Sequence, residues 1–291
     1  NCDIVQARKM STTKKDDDLT LHYWAGRGLM EVPRMLLAIK SKFPPRGYED
    51  LRYTTDKVED KDTRLPFDKI SSSLSKNLGR LPILTTGSWT CGQSASINVY
   101  IAAVRRLSIS LAQPKIKKIT PTREQNNDLM GEKGNWKEFC DVLTIQESIK
   151  EMNQAYRKLI PYGTVPTKEL STKWFETGAK DRAPKNSDFS NRTRYFNWYA
   201  GRLEDIVSLS SSYAIGKTIS LADVLIYNMF RERLGEDEAL ETLPKYRREP
   251  FGDFDTTNRI LRASYPKLSK ICDLVGDHPG ICKWLKMRGV Q

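Results

Sequence analysis

Histidine is nearly absent from this chain: His22 and His278 are the only two in 291 residues. A Ser–His–Asp triad and a histidine-rich zinc site both need positioned imidazoles, so both chemistries are set aside. The five cysteines (Cys2, Cys91, Cys140, Cys272 and Cys282) form no CxxC pair and no metal-ligand spacing. An odd count in a chain with ample core points to free thiols in a reducing compartment. Cys91, at the end of a short strand, reads as a small buried apolar residue and not as a redox thiol. No apolar run approaches the roughly 18 residues that cross a bilayer. The richest windows, Leu221–Phe230 and Ile97–Val104, are broken by polar residues and suit amphipathic or buried helices.

What is present is a polar-surfaced globular composition, 38% hydrophobic and 29% charged, in a chain long enough for two ordinary domains. The net charge of +12 suits anionic partners of several kinds. It is read as a solvated or partner-facing surface and not as a nucleic-acid groove. The clusters Arg105-Arg106 and Lys115-Ile-Lys-Lys are read as a solvated linker. Residues 1–18 form a polar tail. Met10-Ser-Thr-Thr-Lys-Lys reads as a natural start, so residues 1–9 are expected to be either the remnant of a targeting segment or an imperfect gene model.

Periodicity orders the rest. Leu19–Trp24 alternates as a strand, and Glu31–Lys40 has helical spacing with Pro33 in the first turn. Tyr48–Thr54 reads as a second strand, and Asp56–Lys76 as loop with a short helix. Leu81–Thr85 and Trp89–Cys91 flank a Gly87 turn as a hairpin. Ile97, Tyr100, Ile101 and Val104 then give Ser94–Arg105 an amphipathic helical face. This makes residues 19–105 a small α/β domain and 106–135 a basic linker or insertion. Residues 136–291 read as all-helical, with helices at Trp136–Lys158, Arg192–Leu209, Ser220–Leu234, Asn258–Val275 and Ile281–Met287. The polar stretch Gly163–Ser190 reads as an extended loop between two of them. The aromatic run Tyr195-Phe-Asn-Trp-Tyr belongs in a helical core or a pocket wall.

Several motifs in order carry a resemblance. Leu21-His-Tyr-Trp-Ala-Gly-Arg-Gly-Leu-Met-Glu, then Tyr48-Glu-Asp-Leu-Arg-Tyr, then Leu78-Gly-Arg-Leu-Pro-Ile-Leu with Gly92-Gln-Ser-Ala-Ser-Ile, resemble the glutathione-binding domain of the tyrosine-type (sigma, mu and pi) glutathione transferases. Ile219-Ser-Leu-Ala-Asp-Val and Tyr265-Pro-Lys-Leu through Pro279-Gly-Ile-Cys-Lys-Trp-Leu are similar to elements of that family's helical domain. The resemblance implies a thioredoxin-like α/β domain followed by an all-α domain. Ser220 would cap the central helix, with Asp223 reaching back to the free amides. Gly26-Arg-Gly-Leu-Met-Glu also invites a dinucleotide-binding reading, but the third glycine is missing and Glu31 would oppose the phosphates.

The resemblance also implies roles. Tyr23 would stabilise the glutathione thiolate by donating its hydroxyl proton in a hydrogen bond to the charged form, flanked by Trp24 and Leu29 as glutathione contacts. Pro82 would be the family's cis-proline, presenting the main chain of Leu81 to the cysteinyl unit. Gln93 and Ser94 would receive the γ-glutamyl carboxylate at a helix start; Ser94 alone would otherwise read as a plain helix cap. Arg80 stands where many members have Gln or Lys. Lys69 and Lys76 are the candidates for the glycine end, where the family's usual Trp and Lys do not place cleanly.

The function implied is conjugation of glutathione, as co-substrate and without a metal, to a hydrophobic electrophile, in a detoxification-type homodimer. The alternative is a non-catalytic transferase-like subunit of a larger complex. The compartment expected of a family member with reduced thiols is the cytoplasm, or a mitochondrion or plastid if a targeting segment has been removed.

Overall fold

A computed structural model of the protein describes residues 19–24, 27–53, 70–104, 128–161, 164, 166–176, 194–207, 212–230, 251 and 253–288. The polar tail, Lys69 and both basic linker clusters lie outside the described residues.

The chain begins with β1 (Leu19–Trp24), a 3-10 turn at Gly28–Met30, α1 (Glu31–Ile39) and β2 (Glu49–Tyr53). A short α2 (Ser71–Ser75) precedes β3 (Ile83–Thr86), β4 (Trp89–Gly92) and α3 (Ser94–Ala103). The four strands form one sheet in the order β2-β1-β3-β4, with β1 parallel to β2 and antiparallel to β3. Pro33 occupies the first turn of α1, where its missing N–H has no helical acceptor to lose. β3 starts at Ile83, two residues later than its sequence pattern suggests, because Pro82 has no N–H to give the ladder and Leu81 precedes the first paired position. On α3 the buried residues are Ile97, Asn98, Ile101 and Ala102, so the stripe includes a polar side chain in place of Tyr100 and Val104.

The helical part comprises α4 (Trp136–Leu159), α5 (Lys168–Glu176), α6 (Phe196–Ile206), α7 (Leu221–Phe230), α8 (Phe254–Ser264), α9 (Pro266–Gly276) and α10 (Pro279–Arg288). Two departures from the sequence reading have clear causes. The stretch expected to be an extended polar loop contains α5, because Trp174 and Phe175 are buried against aromatic neighbours at Tyr156, Phe196 and Phe251. The single helix expected over Asn258–Val275 is two, since Pro266 disfavours helical geometry at Tyr265 and itself starts α9. Within the stretch read as linker, Leu129 and Met130 are core residues, tied by Leu129 N–H to the Ala102 carbonyl and by the Leu129 carbonyl to Leu221 N–H.

α7 is buried along nearly its whole length and packs against α1, α3, α4, α8 and α9. One apolar cluster runs from Leu19 and Leu21 in β1 through Met35 and Leu36 in α1 to Val224 and Ile226 in α7 and Trp284 in α10. Each such fully buried side chain contributes roughly 1.5–3 kcal/mol relative to exposure. Asp223 holds the start of α7: Oδ1 accepts Ala214 N–H, and Oδ2 accepts both N–H and Oγ–H of Ser220, at 2.6–2.8 Å. The reach-back expected of Asp223 is there, and the Ser220 hydroxyl donates to the same carboxylate. α10 closes on α1 so tightly that a Cβ on Gly280 would collide with the Ala38 carbonyl.

Candidate functional site

Strand register gathers residues that are far apart in sequence. His22 lies opposite Ile83, and Ile83 opposite Gly92. The carboxyl end of β1 (Tyr23, Trp24), the approach to β3 (Leu81, Pro82) and the exit from β4 (Gln93, Ser94) therefore share one end of the sheet. Side chains alternate along a strand, so Tyr23 shares a face with the core residues Leu19 and Leu21, and Trp24 takes the other.

Tyr23 is half-buried and packs on the core. Its ring lies over Gly28: a Cβ there would come within 2.7 Å of the phenol oxygen and 2.8 Å of Cε1. Gly28 also has φ +41, a conformation that side chains resist. The turn this glycine permits brings the Leu29 N–H to the Tyr23 oxygen, a long hydrogen bond of 3.3 Å, while the Leu29 side chain stays exposed.

Behind that turn, α1 is held by buried charges. The Arg34 guanidinium meets the Asp50 carboxylate of β2 at 3.1 Å and donates to the Arg27 carbonyl at 3.3 Å. Arg52 meets the same carboxylate at 2.8 Å. Glu31 accepts Trp284 Nε1–H at 2.8 Å and Arg288 at 2.5 Å. His22, one residue before Tyr23, is buried in the sheet with Nδ1 2.8 Å from the Tyr53 hydroxyl and Nε2 3.2 Å from Thr85 Oγ1.

On the other side of the site, Pro82 is buried and the Leu81–Pro82 peptide is cis. Leu81 lies beyond the last paired position of β3. Gln93 is the N-cap residue of α3 at φ +64, and Ser94 is the first helical residue; no side chain caps the helix. The plain-cap reading of Ser94 therefore does not describe it. The first-turn amides of a helix have no intrahelical acceptor and carry the positive end of its dipole. At the far end of α3, Lys40 Nζ donates to the carbonyls of Ile101, Ala102 and Val104 at 2.6, 3.0 and 2.7 Å. Burial pushes this amine down to about 8, against the pull of Asp128 in the other direction.

One residue that the motif reading did not single out sits at the centre of the arrangement. Asn77, almost fully buried, donates Nδ2 to the carbonyls of Arg80 (2.9 Å) and Pro82 (2.8 Å), and its Oδ1 accepts from Gln93 Nε2 (2.7 Å). The only sequence signal was its place immediately before the Leu-Gly-Arg-Leu-Pro block. Arg80 and Lys76 project from this region with exposed side chains. Cys91 is half-buried, and burial pushes its thiol up, as expected of a structural cysteine. Among the described residues no cluster of His, Cys, Asp and Glu could hold a metal ion, and no helix is long and apolar enough to cross a membrane.

No family model matches the sequence. Solved structures do match. A monomeric glutathione S-transferase of the hookworm Necator americanus is 16% identical with a TM-score of 0.58, over 94% of this chain and 98% of that one. A Nu-class transferase of Haemonchus contortus is 18% identical with a TM-score of 0.56, over the same shares of the two chains, 94% and 98%. A nematode-specific transferase of Caenorhabditis elegans is 21% identical with a TM-score of 0.55, again over 94% and 98%. Likeness along nearly the whole length of both chains, at identities this low, is a statement about architecture: the chain has the glutathione transferase fold.

Proposed function

We propose that the protein is a glutathione transferase that conjugates glutathione to a hydrophobic electrophile. The observation that carries this reading is the convergence of Tyr23, the Leu81–Pro82 turn and the start of α3 at one end of the sheet. In this scheme the Leu81 main chain takes the cysteinyl unit as an added strand would. The start of α3, at Gln93 and Ser94, takes the γ-glutamyl carboxylate. Arg80, and Lys76 beside it, supply positive charge at the rim for a second carboxylate.

The thiol then lies toward Tyr23. A phenol oxygen that accepts an amide N–H, as Tyr23 does from Leu29, is polarised into a better O–H donor. Donation to the thiolate stabilises the charged form and lowers the thiol pKa, each unit being about 1.4 kcal/mol of differential stabilisation. The thiolate sulfur attacks the electrophilic carbon, and the leaving group departs with the electron pair of the bond that breaks. Trp24 and Leu29, both partly exposed beside the tyrosine, are in this scheme further contacts for glutathione.

Calorimetric titration with glutathione, paired with turnover of an activated aromatic halide by wild type and Tyr23→Phe, tests the reading. Millimolar or tighter binding, with turnover that drops at least about tenfold in the variant, supports it. Absence of binding at millimolar glutathione would sink it and favour the non-catalytic subunit.

A further inference from the structure

We propose that Asn77 is a positioning residue that sets the spacing between the two main-chain elements that grip glutathione; the proposal rests on the transferase reading above. An asparagine side chain has two N–H donors and one carbonyl acceptor. Here Nδ2 serves the carbonyls of Arg80 and Pro82, and Oδ1 serves Gln93 Nε2. That pattern also settles the orientation of the amide, since a flipped carboxamide would set its oxygen against two carbonyls.

The three partners belong to the two sides of the site. Arg80 and Pro82 bracket Leu81, and Gln93 opens α3. The backbone on both sides is in conformations that side chains rarely adopt: Leu78 has φ +54 and Gln93 φ +64. Such conformations persist only where the surroundings over-determine them. Asn77 supplies that determination from the interior, between the two segments. It also fills the space beneath Gly92, where a Cβ would lie 2.5 Å from the Asn77 Cβ. This accounts for a glycine immediately before Gln93.

A tripeptide that pairs with Leu81 and places its terminal carboxylate on α3 must span a fixed distance. Each grip alone is weak, and their simultaneous use depends on that distance being right in advance. Asn77 therefore governs affinity for the peptide, with little effect on the chemical step at Tyr23. It touches neither the sulfur nor the electrophile in this scheme.

The test is binding of S-methylglutathione, which has no thiol to ionise, by wild type, Asn77→Asp and Asn77→Ala, with folding checked by near-UV circular dichroism. In Asn77→Asp the ionised carboxylate keeps the shape and the acceptor for Gln93 but sets negative charge against two carbonyl oxygens. The Kd of that variant at pH 7 is expected to rise about tenfold or more, from the loss of two hydrogen bonds, the one to Pro82 buried. Near pH 5 and below, the protonated acid can donate to one carbonyl, so part of the affinity returns in Asn77→Asp and not in Asn77→Ala. Turnover at saturating glutathione is expected to stay within about threefold of wild type, a split between KM and kcat that a general loss of structure would not give. If Asn77→Ala does not fold, the pH dependence of the near-isosteric Asn77→Asp decides. Wild-type affinity in the folded variants overturns the role of Asn77 alone. Failure of wild type itself to bind at millimolar ligand overturns the transferase reading and this role with it.

Discussion

The indole N–H of Trp284 donates to Oε1 of Glu31 at 2.8 Å, across 253 positions of sequence. Arg288 reaches the same oxygen at 2.5 Å, with both charged side chains almost fully buried. Glu31 is the first residue of α1, where a carboxylate also meets the positive end of the helix dipole. α1 follows directly on the Gly28–Met30 turn that supports Tyr23. The last helix of the chain thus braces the turn on which the candidate catalytic tyrosine rests.

Glu31→Ala is expected to cost about 3–5 kcal/mol, because it takes the carboxylate away from a buried guanidinium. Trp284→Phe keeps that ion pair and loses one hydrogen bond, so its cost is expected near 1 kcal/mol beyond the change in packing. Urea denaturation at neutral pH measures both. A Glu31→Ala variant less affected than Trp284→Phe would show that the clamp contributes little.

Gly28→Ala places a methyl group against the Tyr23 ring and asks alanine to hold φ +41. The tyrosine must move or the turn must change, and either breaks the Leu29–Tyr23 hydrogen bond. Turnover is expected to fall at least about tenfold, with S-methylglutathione affinity nearly kept, since the Leu81 and α3 elements are untouched. Stability should fall by about 1 kcal/mol or more. Unchanged turnover in a folded variant would argue that the position of Tyr23 does not limit the reaction.

Asp223 links stability to pH. Burial raises its carboxyl from 3.8 to about 6, against the lowering effect of its hydrogen bonds from Ser220 and Ala214. The folded state therefore holds a proton between those values that the unfolded chain has released. The contribution of this group is fully present below about pH 4 and is lost as pH rises through about 6. The linked free energy is on the order of 3 kcal/mol. Asn cannot titrate, so the stability of wild type relative to Asp223→Asn should decline by up to that amount between pH 4 and 7. Urea midpoints of both proteins across the range give the difference, and a flat difference would contradict the raised carboxyl.

Much of the architecture was legible because it rests on local pattern. The alternation of Leu19–Trp24, the turn chemistry at Gly87 and the helical spacing of residues 136–158 give β1, the β3–β4 hairpin and α4 close to where they occur. α5 was not legible. Its two buried residues, Trp174 and Phe175, are adjacent, so they make no helical stripe, and their burial comes from Tyr156, Phe196 and Phe251, far along the chain. The break at Pro266 has a local cause, because proline restricts the residue before it, here Tyr265.

The candidate site divides in the same way. The ordered motifs that resemble the glutathione transferases marked Tyr23, Leu81, Pro82, Gln93 and Ser94, whereas each alone reads as an ordinary strand residue, strand start or helix start. Only the tertiary structure decided that Gly28 seats the Tyr23 ring, that Asn77 ties Pro82 to Gln93, and that Glu31 answers to Trp284 and Arg288. The physical reason is that backbone preference and hydrophobic period are carried by neighbours in sequence. The partner of a buried polar group is chosen by whatever the completed fold places within hydrogen-bonding reach.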